Sequence, residues 1–382
     1  MSEIEIDREC LDLTAELIRR PSVTPDDAGC QQLLGERLAA LGCAVHHLRW
    51  GETDNLLAWH GESGPLTVLV GHTDVVPPGP LERWTSPPFE PTLRDGKLWG
   101  RGAADMKSGV AAMQLALERY IRARPDHSGR VGILLTSDEE GSARDGIVQV
   151  MPWLAERGDR IDCALIGEPS SDRALGDRIR VGRRGSLHAE VVVHGIQGHT
   201  AYPEKARNPV HQAAPALAEL ATIRFDAGNE FFPPSTFQIY EIQAGVGGSN
   251  NVIPGSMLFR ANWRFATCST PESLEARLRE VLDRHGLEYT LKMRVGSRPF
   301  LTTAMRLRGV VAEAIRAELG VETVQDTGGG TSDGRYISPT GAEVVEFGPV
   351  NASIHKIDEH VEIADLGPMV RVFGRALAAL HG

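Results

Sequence analysis

Cysteine is scarce in this sequence, and its distribution excludes two kinds of site. The 382 residues include five cysteines, an odd number, and no Cys-x-x-Cys pair occurs among them. A disulfide framework would need an even, patterned set, and a thiolate zinc site would need closely spaced pairs. We expect neither, and we predict a protein of the reducing cytoplasm.

Long apolar runs and clusters of positive charge are also missing. No run approaches the ~20 apolar residues that span a bilayer, and the first residues are acidic, without the apolar segment of a leader. The formal net charge is −11, and no basic run stands out. We therefore expect neither a membrane nor a nucleic acid as a partner. A few local arginines can still bind an anionic substrate.

Two glycine-rich segments lack the motifs of nucleotide binding. Residues 327–334 contain no Gly-Lys-Ser/Thr, and residues 244–251 contain no Gly-x-Gly-x-x-Gly. Each segment could present backbone N–H groups to a carboxylate, or it could be a plain flexible loop. Neither predicts a nucleotide.

Residues 1–182 alternate helical and strand patterns, which predicts an α/β sheet with helices on both faces. Short apolar runs at 66–70, 131–136 and 164–166 are typical of buried strands. Each is followed within a few residues by a histidine or glutamate. In open α/β sheets ligands bind at the carboxyl ends of the strands, so these side chains are expected to meet at one edge.

A different pattern begins near residue 183. This pattern predicts strands at 187–193, 236–244, 257–266 and 289–295, one helix at 208–222 and a second helix that begins at Pro271. Their order along the chain is β-α-β-β-α-β, that of a ferredoxin-like α+β unit. The α/β pattern then returns. We predict a mixed-sheet catalytic domain made of 1–182 and 297–382, interrupted by an inserted dimerisation or lid domain at 183–296.

Five side chains in the α/β part could bind metal ions: His72, Asp105, Glu140, Glu168 and His355. Two imidazoles and three carboxylates can hold two zinc-like cations about 3.5–4 Å apart if one carboxylate bridges them. Glu139, adjacent to one of these ligands, is then free to act as a base. Together these residues predict a two-metal hydrolase.

Each of these residues also has an ordinary structural interpretation. Asp105 precedes an amphipathic helical pattern and could be its N-cap. The Glu139-Glu140 pair could be a solvated acidic loop, and Glu168 before proline could belong to a turn. Asp74 lies two positions after His72, where it can hold the second imidazole nitrogen of a metal ligand. The combination, in this order at strand ends, favours the metal site.

The predicted inserted domain carries further polar candidates. His199 lies in a loop, where a turn histidine is the alternative. Arg264 shares a strand face with Arg260 and Asn262, so it could bind a carboxylate with two parallel hydrogen bonds or simply be solvated. Arg183 and its neighbour offer similar chemistry.

The sequence around these residues resembles the dinuclear zinc aminoacylase/carboxypeptidase family. The resemblance extends over nearly the whole chain. Its general motifs are Gly71-His72-Thr73-Asp74-Val75-Val76-Pro77, Gly100-Arg101-Gly102-Ala103-Ala104-Asp105-Met106-Lys107, Thr136-Ser137-Asp138-Glu139-Glu140 and Gly167-Glu168-Pro169-Ser170. Segments typical of one branch of that family are 182–186, 194–199, 228–233, 249–254, 329–335 and 351–356.

The resemblance implies two Zn²⁺ ions per subunit, with Co²⁺ or Mn²⁺ as alternatives at one site. One ion would be held by His72, Asp105 and Glu168, and the other by Asp105, Glu140 and His355, so that Asp105 bridges. Glu139 would take a proton from the attacking water and pass it to the departing amine. Asp74 would orient His72.

The resemblance also implies a homodimer formed through the inserted domain. His199 would reach the active site of the partner subunit and stabilise the oxyanion. Substrate carboxylates and backbone would contact Arg183, Tyr202, Asn250, Asn251, Arg264, Gly330 and Thr331. One departure is a loop at 246–248 that is one residue longer than the usual pattern, which affects the placement of the two asparagines.

The branch-specific segments imply hydrolysis of N-succinyl-LL-2,6-diaminopimelate to LL-2,6-diaminopimelate and succinate, a step toward lysine and peptidoglycan. The alternatives within the family are an N-acetylornithine deacetylase-like enzyme, a general aminoacylase and a dipeptidase. Arg183 and Arg184 favour a doubly anionic acyl group, because an acetyl group needs no cationic partner. A non-catalytic metal-binding scaffold would predict loss of Glu139 or of a ligand, and all are present.

Overall fold

The computed structural model describes residues 3–245, 247 and 249–382. Residue contacts divide the described chain into two compact units. The first comprises the residues up to Gly182 together with Leu301–Asp326 and Ser332–Gly382, and the second comprises Arg183–Phe300 and Thr327–Thr331.

Helices and strands alternate along the chain. The helices are α1 (Glu3–Ile18), α2 (Cys30–Ala39), α3 (Ser108–Ala123), α4 (Ile147–Ala155), α5 (Pro209–Leu220), α6 (Pro271–Arg284), α7 (Met305–Leu319), α8 (Gly334–Ile337) and α9 (Ile363–His381). The strands are β1 (Ala44–Trp50), β2 (Thr53–His60), β3 (Leu66–His72), β4 (Thr92–Arg94), β5 (Lys97–Trp99), β6 (Arg130–Thr136), β7 (Cys163–Ile166), β8 (Arg178–Arg180), β9 (Gly182–Arg183), β10 (Gly185–His194), β11 (Gly198–His199), β12 (Thr236–Ala244), β13 (Val252–Ile253), β14 (Ser256–Phe265), β15 (Tyr289–Ser297), β16 (Phe300–Leu301), β17 (Val324–Asp326), β18 (Glu343–Glu346) and β19 (His360–Glu362).

The first unit contains a mixed sheet of eight strands in the order β1-β2-β6-β3-β7-β18-β8-β17. Its central strands β6, β3, β7 and β18 are parallel neighbours. The register pairs His72 with Thr136 and Val70 with Ile166. The carboxyl ends of these strands therefore lie at one edge of the sheet. This is the edge at which the histidine and glutamates that follow the strands are expected to meet.

Both faces of the central strands of this sheet are buried. Leu69, Ile133 and Leu165 belong to a core that also contains residues of α1, α2, α3, α7 and α9. Val68 and Leu134, which point to the opposite face by the two-residue period of a strand, are fully buried as well. Strands that are apolar on both faces are typical of a sheet covered by helices on each side. The predicted α/β fold class is confirmed.

The segment before α3 differs from a simple helix start. Asp105, with φ −119° and ψ 93°, lies in a kinked turn at Ala103–Lys107, and the residue that caps α3 is Lys107. The N-cap interpretation of Asp105 is therefore wrong. The buried ammonium of Lys107 donates to the carbonyl oxygens of Leu17 (2.9 Å) and Arg20 (2.8 Å), which fixes the turn to the end of α1. Burial lowers the pKa of this ammonium.

The second unit is built on an antiparallel sheet in the order β12-β14-β10-β15. With α5 and α6 it gives the predicted β-α-β-β-α-β order of a ferredoxin-like unit. Leu187, Val191, Phe259 and Trp263 lie on the sheet face that packs against the helices. Alternate residues of β10 and β14 are only partly buried, so this sheet has one apolar and one more polar face.

All five cysteines are free thiols, four of them buried. Among the described helices, none has both the length and the hydropathy needed to cross a bilayer.

Candidate metal centre

The carboxyl edge of the first unit's sheet brings the predicted ligands together. His72 is the last residue of β3, and Glu140 and Glu168 follow β6 and β7 within four residues. His355 lies in the segment after β18, and Asp105 comes from the turn before α3. Five elements that are distant in sequence thus contribute one side chain each.

The two oxygens of Asp105 face different histidines. Its Oδ1 lies 3.2 Å from Nε2 of His72, which is also 3.6 Å from Oε1 of Glu168. Its Oδ2 lies 3.3 Å from Nε2 of His355, which is 2.8 Å from Oε1 of Glu140. The cluster therefore consists of two groups of three side chains that share one carboxylate.

Glu139 also lies close to this cluster. Ligand atoms of His72, Glu139 and Glu168 all fall within 4.8 Å of one another, as do those of His72, Asp105 and Glu140. Distance alone therefore does not distinguish Glu139 from Glu140 as a ligand. The contact of Glu140 with His355, which also faces Asp105, favours Glu140, because only Glu140 completes a second group of three.

The imidazole of His72 is held in one orientation. Its Nδ1 donates to the backbone carbonyl of Asp74 at 2.9 Å, which leaves Nε2 directed at the carboxylates. The Asp74 carboxylate comes only within 3.6 Å of the same nitrogen. It instead accepts the backbone N–H groups of Glu139 (3.4 Å) and Glu140 (3.1 Å). Asp74 therefore positions both the histidine and the acidic pair, through different groups.

Negative charge is concentrated at this edge, and protons on the histidines compensate part of it. Hydrogen bonds to Asp105 and Glu140 raise the pKa of His355 to about 10. Burial opposes ionisation of Asp105, but hydrogen bonds with His355 and His72 outweigh it and hold its pKa below the usual range. Burial raises the pKa of Glu168 well above its ordinary value, and the charge of Asp105 adds to this.

This donor set fits divalent metal ions. Imidazole nitrogens and carboxylate oxygens are ligands of Zn²⁺ and of Co²⁺ or Mn²⁺. Protons on the histidine nitrogens offset the negative charge of the carboxylates. A metal ion bound to one of these nitrogens would displace its proton. The backbone of His355 has φ 57°, a conformation that few residues other than glycine adopt, so its place in the cluster is maintained at some conformational cost.

Two buried acidic residues near the cluster were not predicted. Glu359 accepts the backbone N–H of Asp105 at 2.9 Å. Asp333 lies 4.0 Å from the guanidinium of Arg335, and burial raises its pKa to about 7. Its charge is also the second cause, after burial, of the raised pKa of Glu139. Their only signal in the sequence was position: Asp333 lies in the glycine-rich segment 327–334, and Glu359 follows His355 by four residues.

The second unit contains the other candidates, and some of them meet within it. His199 is exposed, and its Nδ1 accepts the backbone N–H of Ala201 at 3.0 Å. The proton is therefore on Nε2, which lies 3.4 Å from the Asn251 amide nitrogen. The Tyr202 ring is 5.8 Å from the imidazole. Asn250 is exposed next to Asn251.

Arginines form a second group in that unit. Arg183 donates to the carbonyl oxygens of Gly328 (2.9 Å) and Gly330 (3.5 Å), next to Thr331. Burial, followed by the charges of Arg264 and Arg183, lowers the pKa of Arg184. The charges of Arg183 and Arg264 thus reach the Arg184 guanidinium, and guanidinium groups are suited to binding a carboxylate. The predicted loop extension at 246–248 involves Val246 and Gly248, which lie outside the described residues.

The chain belongs to peptidase family M20/M25/M40, which it matches over residues 68–379. It is 55% identical over 372 residues to the succinyl-diaminopimelate desuccinylase of Thioalkalivibrio sulfidiphilus (strain HL-EbGR7), covering 97% of this chain and 99% of that protein. The predicted family of hydrolases is therefore confirmed.

Solved structures of the family share the fold. The M20 family metallo-carboxypeptidase Sso-CP2 from Sulfolobus solfataricus superposes with a TM-score of 0.80 at 16% identity, covering 97% of this chain and 98% of that one. A Bacillus subtilis protein described as a dinuclear metal binding peptidase from the M20 family gives a TM-score of 0.74 at 15% identity, covering 98% of each chain. At these identities the likeness concerns the fold alone.

Removal of His355 tests the division of the cluster into two groups. His355→Ala is expected to lower the bound metal from two ions per chain to about one, because one group of three loses its imidazole. Metal content would be counted after dialysis against buffered Zn²⁺. The matched control is His360→Ala, five residues along the chain, whose imidazole Nδ1 contacts the carbonyl of Asp358 and which should retain both ions. Two ions in His355→Ala would remove His355 from the ligand set.

Proposed function

We propose that the chain is a dinuclear metal-dependent amide hydrolase that converts N-succinyl-LL-2,6-diaminopimelate and water to LL-2,6-diaminopimelate and succinate. The observation that carries this proposal is 55% identity, over nearly the full length of both chains, to a protein named succinyl-diaminopimelate desuccinylase. The reaction supplies a precursor of lysine and peptidoglycan. We further propose that it takes place in the cytoplasm.

His72, Asp105 and Glu168 would hold one Zn²⁺ ion, and Asp105, Glu140 and His355 would hold the other, with Co²⁺ or Mn²⁺ as alternatives at one site. The approach of each Asp105 oxygen to a different histidine supports this division. When bound, the ions would polarise the scissile carbonyl and acidify the attacking water.

Glu139 would act as the general base and then as the general acid. It lies close to His72 and Glu168, but in the proposed division the ligand next to His355 is Glu140, which leaves the Glu139 carboxylate available to a water molecule. In the proposed reaction Glu139 takes a proton from the water as the water oxygen attacks the amide carbon. The same proton then passes to the amine nitrogen as the C–N bond breaks. The backbone of Glu139 is held by the Asp74 carboxylate, which fixes the base relative to the ligands.

The arginines of the second unit would bind the carboxylates of the substrate. Burial, followed by the charges of Arg264 and Arg183, lowers the pKa of Arg184, so the three guanidinium groups lie near one another. A succinyl group carries a carboxylate that an acetyl group lacks. This cluster favours the succinyl substrate over those of an N-acetylornithine deacetylase-like enzyme, a general aminoacylase or a dipeptidase. Further substrate contacts would come from Tyr202, Asn250, Asn251, Gly330 and Thr331.

We also propose that residues 183–296 form an inserted domain, which divides the catalytic domain into the parts 1–182 and 297–382. A homodimer would form through this inserted domain. His199 would donate from Nε2 to the oxyanion in the active site of the partner subunit. The hydrogen bond from Ala201 to Nδ1 supports this role, because it leaves the imidazole N–H on Nε2.

The first test of the function compares two amides. Zinc-loaded protein is expected to hydrolyse N-succinyl-LL-2,6-diaminopimelate and to prefer it to N-acetylornithine, with activity lost on addition of a chelator. Preference for the acetyl substrate would retain the two-metal mechanism but exclude the proposed substrate. Absence of turnover with both, in protein that contains two metal ions, would contradict the assignment.

Substitution of Glu139 tests the base. Glu139→Ala should retain two Zn²⁺ ions per chain and lose roughly 100- to 10,000-fold in kcat, the usual contribution of general acid–base catalysis. Metal counting and steady-state kinetics on the same preparation would measure both effects. If the variant also loses a metal ion, Glu139 is a ligand rather than a base.

Mixed dimers test the role of His199. His199→Ala should lower kcat by roughly 100- to 1000-fold, as for other oxyanion donors, and change KM less. A dimer of one His199→Ala chain with one Glu139→Ala chain should regain about one working site, since one active site then has both Glu139 and a partner's His199. A mixed dimer with no recovered activity would exclude action between subunits.

A further inference from the structure

Glu359 is a buried carboxylate whose hydrogen bonds are all directed at the residues around Asp105. Its side chain is 1% exposed. Oε1 accepts the backbone N–H groups of Ala104 and Asp105, both at 2.9 Å. Oε2 accepts the backbone N–H of Gly102 at 3.0 Å and Nη1 of Arg101 at 2.6 Å. Four donors therefore occupy the two oxygens, close to the full acceptor capacity of a carboxylate.

These bonds hold a segment whose backbone hydrogen bonding is irregular, since the Lys107 N–H donates to the carbonyl of Gly102 at 2.8 Å, a five-residue step in place of the four-residue step of an α-helix. The backbone of Asp105 has φ −119° and ψ 93°, outside the helical region, although α3 begins only three residues later. Three backbone N–H groups ahead of α3, those of Gly102, Ala104 and Asp105, converge on one carboxylate. Because Asp105 presents an oxygen to each histidine of the cluster, its backbone position sets the geometry of both groups of three.

The same carboxylate belongs to the segment that carries His355. Glu359 follows His355 by four residues, and its own backbone carbonyl accepts the N–H of Gly100 at 2.9 Å. Arg101 Nη1, bonded to Glu359, also donates to the carbonyl of Lys356 at 3.1 Å. The turn that carries Asp105 and the loop that carries His355 are therefore joined by one buried network.

We infer that Glu359 is a positioning residue for metal binding: it fixes the distance between the shared carboxylate of Asp105 and the imidazole of His355. It contacts neither substrate nor metal and acts through the backbone of Asp105. This inference rests on the proposed two-metal function. The alternative is that the buried ion pair of Glu359 and Arg101 serves stability alone. Zn²⁺ affinity separates the two roles, because only a positioning role predicts that it falls.

Glu359→Gln is the informative change, because it retains shape and removes half of the acceptors. The glutamine NH₂ group must face either the Arg101 and Gly102 donors or the Ala104 and Asp105 donors, so one pair loses its acceptor whichever way the amide turns. Loss of such supporting hydrogen bonds typically weakens metal binding 10- to 100-fold. We expect a decrease of roughly that size in Zn²⁺ affinity, measured by chelator competition, with fewer than two ions retained at a free Zn²⁺ concentration that saturates the unmodified protein.

Glu118 offers a matched control in the same unit. It is also 1% exposed and also accepts from four donors, here all from side chains: two from Arg37 and one each from Gln114 and Arg122. Glu118→Gln should lower the thermal stability of the metal-free protein and leave Zn²⁺ affinity unchanged. Equal loss of Zn²⁺ affinity in both variants would reflect general loosening and overturn the inference, as would unchanged affinity in Glu359→Gln.

The unmodified protein distinguishes the inference from the function on which it rests. If it binds no Zn²⁺, the two-metal function fails. If it binds two ions and Glu359→Gln binds them equally well, only the positioning role fails. If Glu359→Gln does not fold, Arg101→Met provides the test. This change leaves three backbone donors on Glu359 but removes the hydrogen bond to the carbonyl of Lys356. Zn²⁺ affinity should then fall by a smaller factor than in Glu359→Gln. Unchanged affinity in that variant overturns the coupling between the two segments.

Discussion

The sharing of one carboxylate between two histidines is the interaction on which the site depends. Asp105 has one oxygen 3.2 Å from His72 and the other 3.3 Å from His355. Glu168 and Glu140 lie beside the same two imidazoles. Their negative charges and that of Asp105 therefore repel one another unless protons or metal cations offset them. The raised pKa of His355 and the lowered pKa of Asp105 are two results of this constraint.

The parallel centre of the sheet makes this concentration of charge achievable. Residues of β3 pair with those of both β6 and β7, so the segments that follow the three strands begin at nearly the same level. Backbone hydrogen bonds then fix the details. The Asp74 carboxylate holds the two glutamates after β6, and Glu359 holds the turn at Asp105. Main-chain contacts thus help to place His72, Asp105 and Glu140 in the cluster.

Much of this arrangement was predictable because local pattern and function coincide. Apolar runs of strand length marked β3, β6 and β7, and three of the predicted ligands, His72, Glu140 and Glu168, follow those runs. The three-residue strands β4, β5 and β19 are too short to show a period. Glu359 was missed because its importance comes from burial against a backbone 254 residues away in sequence. Asp105 resembled an N-cap, and only the kink before α3 distinguishes the two cases.

The strand order has a consequence for synthesis of the chain. β18, among the last strands to be made, lies in the interior of the sheet between β7 and β8. Until Glu343–Glu346 has left the ribosome, the apolar strand β7 keeps one open edge, and such edges pair readily with other chains. A nascent or truncated chain that ends between β7 and β18 therefore exposes an open strand edge beside the residues of the cluster, and such an edge can pair with another chain.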